Sequence, residues 1–527
     1  MIGVMKGIHH QRGEEMVRQG VLPYKYEVEG GSELTALGGL PVYLDLMAMS
    51  GMWKSLQERL GTREGEQGWT TAQAVMTLIL LNIAGGDCVR DVERLEADEG
   101  FCRLFRRLEW TGFSRQERRE MERRWQRERE RTFPSQSAIF RRLEGFHDER
   151  QEELRRAPDA PKAFIPKPNE LLRGMAFVNG DMLRFAAAQD PQEQATLDMD
   201  ATLIETMKRA ALYCYKHVPA YQPLNVWWAE TGLMLYTEFR DGNVPAGHQQ
   251  LRVLKEALTH LPSGVKKVRM RSDTAGYQWD LLEYCARGED PRFGRIEFAC
   301  SCDVSQEFKK AVSEVPEEEW RPFRRVVDGI EFQTDMEWAE VCFVPNAIAH
   351  SKDGPDYRFV AMREPMPEQQ SLPGIEGQQE LPFPTVRMRG KRYKLFGLVT
   401  NLDWEGDRII RWLHERCGKS EEAHAVLKHD LAGSHLPSKR FGVNAAWWWI
   451  AVLAHNLNAI MKRHVLGEAF LSKRLKAIRF LLIHLPAQVI EHARQCSLRL
   501  GRSYREVAEF LVEVRCRILE MVPVPSG

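Results

Sequence analysis

Two aspartates separated by one residue, Asp198 and Asp200, sit in the stretch ATLDMDATLIET at residues 195–206. Read with a period of two, Leu197, Met199 and Ala201 face one way and Asp198, Asp200 and Thr202 the other, as in a strand with one face in a core. Carboxylates about 7 Å apart on one strand face repel unless a cation lies between them or one is protonated. Taken alone, such a pair equally suits a solvated strand face. Two further acids shift the reading. Asp273 follows the strand-like segment 265–271 inside SDTAG, where a strand gives way to a turn. Glu421 is followed by His424 at i+3 and Lys428 at i+7, which on one helix puts acid, imidazole and amine on a single stripe. That stripe is either a salt-bridged surface or the wall of a metal site with a phosphate-binding lysine behind it. Three separated carboxylates, two from strand ends and one from a later helix, are what two divalent cations need to activate a nucleophile and steady a leaving oxygen on phosphorus. Magnesium, for which manganese can substitute, prefers oxygen ligands and keeps part of its water, so a few carboxylates suffice when a DNA phosphate completes the shell.

The elements that must carry these residues can be read from hydropathy. From about residue 164 the text is α/β: strands at 195–206, 233–240, 265–271 and 295–302, with amphipathic helices at 249–261 and 277–287. Early antiparallel strands followed by strand-helix-strand units predict a mixed sheet flanked by helices. Residues 303–405 change character, with β-type segments at 337–345, 357–364 and 391–401 around a loop rich in proline, glycine and glutamine, predicted to be mobile. Helical text resumes at Glu405 with a long helix at 408–430, an apolar one at 444–463 and a helical tail at 472–483 and 504–521. The predicted organisation is a helical N-terminal region (1–160), the first part of a core (161–302), an all-β insertion (303–405), the second part of the core with the glutamate helix (406–465) and a helical C-terminal region (466–527).

Within the first region, helical spacing marks residues 34–53 and 71–83, the second capped by Thr70. Between Phe101 and Glu144 thirteen arginines face seven acidic residues, with Trp110 and Trp125 interleaved. Many of these charges can pair along a helix, and the remainder can meet phosphate. Ser135 then caps a short helix whose Arg141 and Arg142 are candidates for DNA contact, although a plain packing helix reads the same way. Trp447, Trp448 and Trp449 could stack on bases, but such a cluster more often belongs to a core.

Composition bounds the remaining choices. Lysine plus arginine equals aspartate plus glutamate at 74 each, so attraction to nucleic acid has to come from local segregation of charge. Ten scattered cysteines without a C-x-x-C pair argue for a reduced cytoplasmic protein without a structural zinc site. With no run of about 18 apolar residues, no membrane partner is expected.

The combination of DMDAT, RSDTAGY and ERCGKSEEAHAVLK, with a β insertion before the last, resembles the DDE transposases of bacterial insertion sequences, and within that superfamily the insertion-sequence 1380 family. The resemblance spans about residues 30–500 and implies a ribonuclease-H-like catalytic core. It assigns Asp200, Asp273 and Glu421 as catalytic, metal-holding acids, with Asp198 as runner-up for the first. The family's Y-x2-R-x3-E-x6-K signature is met by Glu421 and Lys428, while His414 and Cys417 stand at the tyrosine and arginine positions. Arg416, one residue early, or Lys419 would then take over the phosphate contact, and Lys428 and His424 join them as DNA-binding candidates. Tyr221-Gln222-Pro223-Leu224-Asn225 and Asn444-Ala445-Ala446-Trp447 are further matching segments. The implied activity is cleavage at terminal inverted repeats, which frees a 3′ hydroxyl, followed by attack of that hydroxyl on target DNA. Synapsis of two ends implies at least a dimer on DNA. A hairpin on the element end, where one forms, would be held by the β insertion, with Trp320, Trp338 and Trp404 as aromatic candidates. The competing readings are a transposase relative that binds ends without cutting them, and a ribonuclease-H-like nuclease without strand transfer.

Overall fold

A computed structural model describes residues 33–61, 67–109, 114–123, 129–327, 329–345, 355, 357–366, 383–492 and 495–523. Trp110, Trp125 and the proline-, glycine- and glutamine-rich loop at 367–382 lie outside the described residues. Ten strands form one mixed sheet. In chain order they are β1 (Gln194–Ala201), β2 (Leu224–Trp228), β3 (Leu233–Glu238), β4 (Lys267–Ser272), β5 (Glu297–Ser301), β6 (Arg321–Val327), β7 (Ile330–Val341), β8 (Arg358–Pro365), β9 (Thr385–Met388) and β10 (Lys391–Thr400). Their spatial order is β6-β7-β8-β10-β5-β4-β1-β2-β3, with β9 added alongside β10. β1, β4 and β5 run parallel and every other pairing is antiparallel. The strands of the segment 303–405 thus extend the sheet that carries the aspartates, joined to it backbone to backbone through β10 and β5.

The parallel steps are made by helices that must cross the sheet. Among the described helices, those that matter for the argument are α1 (Pro41–Met49), α2 (Met52–Leu60), α3 (Thr71–Ala84), α4 (Gln136–Glu144), α5 (Glu170–Gln189), α6 (Gln250–His260), α7 (Trp279–Arg287), α8 (Gly406–His414), α9 (Lys419–Ala425), α10 (Phe441–Ile460) and α11 (Arg505–Glu520). α6 connects β3 to β4, and α7 connects β4 to β5. α3 begins with a capping box in which Thr70 accepts from the Gln73 N–H and the Gln73 side chain accepts from the Thr70 N–H. α10 is apolar on all sides because it is enclosed on all sides: it packs against α3, α5 and β3, and Trp447, Trp448 and Trp449 are buried in the core. One continuous apolar cluster runs from Leu40 to Met521, so the helices before β1 and those after β10 share a core with the sheet.

A bulge in β3 shows how that core handles exposed backbone. Trp227 pairs with Met234 and Val226 with Tyr236, which leaves Leu235 without a cross-strand partner. Asn179 of α5 donates to the carbonyls of Met234 and Leu235, and Asn456 of α10 both accepts from the Met234 N–H and donates to Asn179. Two buried amides thereby bond the bulged backbone and tie two helices to it.

Three differences from the sequence reading have physical causes. The helix expected at 408–430 is broken: α8 ends at His414, Gly418 takes a positive φ of 82°, α9 starts at Lys419, and a π-helical turn follows at Val426–Asp430. Only glycine adopts that φ without strain, so the apolar period reads through a point where the backbone turns. The C-terminal region is not wholly helical, because strands β11 (Ala487–His492) and β12 (Gln495–Leu500) form a hairpin that pairs with the short strand Leu34–Thr35. Strand β2, with the sequence LNVWW, reads poorly by alternation because four of its five residues are buried.

No single described helix is long and apolar enough to cross a membrane, and one bent pair, Thr71–Ala84 with Val89–Ala97, passes that test by length and composition only. The first of these segments is almost wholly buried, and in the second Val89, Val92 and Leu95 face the core. All ten cysteines are free.

Candidate active site

The register of β1 separates its two aspartates. Asp198 is the cross-strand partner of Arg271 on β4, and Asp200 is that of Asn225 on β2. Arg271 grips Asp198 with both arms, Nε to Oδ1 at 2.6 Å and Nη2 to Oδ2 at 2.9 Å, in a fork that matches the carboxylate. Its remaining nitrogen donates to the Trp412 carbonyl at 2.5 Å and to Glu415 at 3.3 Å, and the guanidinium lies over the Trp412 ring. Asp198 and Arg271 are both buried. This pair therefore fastens β1, β4 and the end of α8 together, and Asp198 is fully engaged in it.

Asp200 is held differently. It lies one residue from the end of β1, partly exposed, with Arg416 Nη2 at 3.6 Å and His424 Nδ1 at 3.8 Å from its Oδ2. Burial pushes its carboxyl up to about 6; Arg416 opposes that shift, and the negative charges of Asp273 and Glu421 add to it. Asp273 and Glu421 thus both act on the Asp200 carboxyl. Asp273 follows β4 and caps the short 3-10 turn Thr274–Gly276, with Oδ1 accepting from the Ala275 N–H at 3.0 Å. Gly276 in that turn lets the chain pass Ser272, where a Cβ would stand 2.3 Å from the Ser272 Cβ. Glu421, in the first turn of α9, is exposed and accepts from the Gly418 N–H at 2.5 Å, so it caps its own helix. The three acids expected from the sequence converge electrostatically, but among the described residues no three His, Cys, Asp or Glu side chains lie close enough together to hold an ion as they stand.

The break at Gly418 explains how Arg416 reaches this cluster. A continuous helix would carry the residue at 417 toward the stripe that holds Glu421; with the chain turning between His414 and Lys419, Arg416 is buried against Asp200 and Cys417 is exposed. Lys419 is exposed at the start of α9. Lys428, in the π turn, is half-buried, and burial with the neighbouring Lys216 lowers its pKa against the opposing pull of Glu205. His424 is buried, its pKa pushed down to about 4 by burial first and by Lys428 next, so the ring is neutral at pH 7. Arg141 is exposed and Arg142 half-buried on α4, which turns Ile139 and Leu143 inward against α3 and α10.

A cleft of about 900 Å³ lies between β6 and α8, with Glu415 and Cys417, the chain neighbours of Arg416, on its wall. Arg269, Arg325, Arg408 and Arg411 line it together with Trp404 and Trp412. The two indoles meet edge to face at 5.6 Å, and the guanidinium carbons of Arg269 and Arg408 lie 4.6 Å and 4.1 Å from the Trp404 ring centre. Of the three tryptophans singled out near the insertion, only Trp404 lines this cleft; Trp320 and Trp338 are buried, under Arg363 and against Gly406 respectively.

Several residues of the site carry no signal of their own in the sequence. Asn225 lies in the YQPLN segment, but nothing in its type marks it as a neighbour of His424, and Thr237 and Arg271 are ordinary strand residues until the register is known.

A family model described as transposase DDE domain group 1 matches residues 25–520. The chain belongs to this family. No curated protein matches the chain. Among solved structures, the chain is similar to the piggyBac transposase synaptic complex with hairpin DNA, with 10% sequence identity and a TM-score of 0.41, over 94% of this chain and 86% of that one.

Proposed function

We propose that the protein is an active DDE transposase that cuts DNA at the ends of its element and joins the freed 3′ ends to target DNA. The observation that carries this reading is that Asp200 lies at the end of β1 and Asp273 directly after β4, its parallel neighbour in the sheet; the pull of Asp273 and Glu421 on the Asp200 carboxyl agrees with it. Membership of the DDE transposase family supports it. In this reading the strands β3-β2-β1-β4-β5, three antiparallel then two parallel, are a ribonuclease-H-like core, and β6 to β10 are the insertion. We place the protein among bacterial insertion-sequence transposases, in the insertion-sequence 1380 family, acting in the cytoplasm as at least a dimer on DNA, with residues 1–160 contributing to end binding.

An all-oxygen set of mutually repelling carboxylates fits Mg2+ or Mn2+. Asp200, Asp273 and Glu421 would hold the ions, Glu421 exchanging its Gly418 N–H for that role. Bound there, the cations would supply charge to the attacking and leaving oxygens of an in-line displacement at phosphorus. The chain's own contribution is positional. Arg416 brings a countercharge to Asp200, the Arg271–Asp198 pair fixes the strand that presents it, and the cleft of Trp404, Arg325 and Arg408 offers cations to a DNA backbone and aromatic faces to its bases.

The test is cleavage of a labelled duplex carrying the element's own terminal repeat, with Mg2+ or Mn2+, comparing the wild type with Asp273→Asn. A 3′ end freed at the repeat boundary by the wild type alone supports the proposal. Binding of the repeat without cutting by either protein overturns it in favour of a non-catalytic DNA-binding relative, and cutting without strand transfer favours a nuclease.

A further inference from the structure

A chain of four buried side chains runs from the core helix α10 to the acidic cluster. The indole Nε1 of Trp448 donates to the Thr237 hydroxyl at 2.9 Å. The Thr237 hydroxyl donates to Asn225 Oδ1 at 2.6 Å. Asn225 Nδ2 is 3.0 Å from His424 Nε2, and the opposite ring nitrogen, Nδ1, is 3.8 Å from Asp200 Oδ2. Trp448, Thr237, Asn225 and His424 are all buried.

Donor and acceptor identities fix the direction of this chain. An indole N–H can only donate, so Thr237 accepts from Trp448. The hydroxyl's own proton needs an acceptor, and Asn225 Oδ1 is the one in reach. With its oxygen committed there, Asn225 presents its NH2 group to His424, and Nε2 must be the unprotonated, accepting nitrogen. The single ring proton of the neutral imidazole then sits on Nδ1, directed toward Asp200. Turning the Asn225 amide over would leave the Thr237 proton without a partner in the core, facing another donor.

We propose that Asn225, oriented by Thr237 and Trp448, is a positioning residue that holds His424 as the Nδ1–H tautomer facing Asp200. Nothing in the expected acid triad or its lysine requires these three residues. Their effect on the site is to set which nitrogen meets a carboxylate: an N–H toward Asp200 attracts it and holds the side chain in place, whereas a lone pair there would repel it. The inference rests on the reading of Asp200 as the first catalytic acid, but the hydrogen-bond chain can be tested without turnover.

The test uses the full-length protein, free of metal and DNA, with 15N-labelled histidine. Long-range 1H–15N spectra distinguish the two tautomers of a neutral imidazole, and the His424 signals are assigned by their loss in His424→Gln. The wild type is expected to show Nδ1–H. Asn225→Asp keeps the shape of the side chain but replaces a donor with an acceptor, so the ring should switch to Nε2–H. Thr237→Val, which frees the amide to turn over, should give a mixture, and Thr237→Ser should restore the wild-type tautomer. Circular dichroism verifies that each variant is folded. In the cleavage assay, Asn225→Asp should lower the rate about tenfold with unchanged affinity for the terminal repeat, and Thr237→Ser should match the wild type. A wild-type Nε2–H tautomer overturns the proposal. So does retention of Nδ1–H in both Asn225→Asp and Thr237→Val, or a Thr237→Ser variant that behaves like Thr237→Val. If the tautomers behave as expected while the wild type cuts no repeat, the hydrogen-bond chain stands and it is the transposase reading that fails.

Discussion

Asp200 on β1 and Asn225 on β2 are cross-strand partners, and His424 spans them, one ring nitrogen 3.0 Å from the amide and the other 3.8 Å from the carboxylate. The same strand gives its other aspartate, Asp198, to Arg271 in the opposite direction across the sheet. One strand thus serves two purposes on alternate residues, and the two can be separated by mutation.

Asp198→Ala should leave the Arg271 guanidinium buried without its carboxylate and cost about 3–5 kcal/mol of stability. Asp200→Asn should do the opposite. The folded pKa of Asp200 lies above the ordinary 3.8, so its ionised form is disfavoured in the fold, and neutralising it should stabilise by on the order of 1 kcal/mol at pH 7.5 while abolishing cleavage. Chemical denaturation of both variants checks the pair; an Asp198→Ala as stable as the wild type would show that the fork does not hold the strand.

Lys428 stands near Glu205 and Lys216, and its charge acts on His424. Its loss should weaken DNA binding severalfold and leave metal affinity unchanged. Calorimetric titration of Lys428→Ala with Mn2+, beside a repeat-binding assay, reads both quantities, and lost metal affinity would contradict the assignment.

Arg325 and Arg408 are exposed on the walls of the Trp404 cleft. If each neutralises one phosphate, replacing either with alanine should reduce the slope of log affinity against log salt by about one unit, uniformly over DNA sequences. Trp404→Ala should instead cost about 1–3 kcal/mol of affinity for single-stranded or distorted ends, with little change in that slope. Salt titrations of binding to duplex and frayed ends separate the two effects.

His455 is buried on α10 against Trp227, and burial pushes its pKa down to about 4 from the ordinary 6.5. The unfolded chain therefore takes up this proton at a higher pH than the folded one. Stability contributed by keeping the ring neutral is present above about 6.5 and is lost as pH falls toward 4, by about 2 kcal/mol at pH 5. Denaturation curves at pH 7.5 and pH 5 should show that loss in the wild type and a smaller one in His455→Gln.

The three candidate acids can be picked out of the sequence because each sits in a local pattern: a period of two around Asp200, a strand end before Asp273, and after Glu421 the E-x6-K spacing that carries the family resemblance. It could not choose between Asp198 and Asp200 on physical grounds, since the choice depends on Arg271, which is 73 residues away and meets Asp198 only through strand register. The position of Arg416 was equally hidden. Its approach to Asp200 depends on the positive φ at Gly418, and an amphipathic pattern on both sides of a glycine reads as one helix. β2 and the β11–β12 hairpin were missed for opposite reasons. The first is too uniformly buried to alternate, and the second alternates but lies in text dominated by helical segments. The central tryptophans could be placed in the core from their apolar company alone, whereas the bond from Trp448 to Thr237 required the packing of α10 on β3.

The strands that wall the Trp404 cleft belong to the same hydrogen-bonded ladder as the strand bearing Asp200, with neighbouring strands about 4.8 Å apart. A segment tethered by flexible linkers would sample many separations from the acids. Here the cleft and the acids are held at a set separation by one sheet, so under the proposed function the protein would carry a ruler woven into its backbone. Lengthening the connection between β8 and β9 would leave that ruler unchanged, while a slip in the β5–β10 pairing would change the offset between cleft and acids.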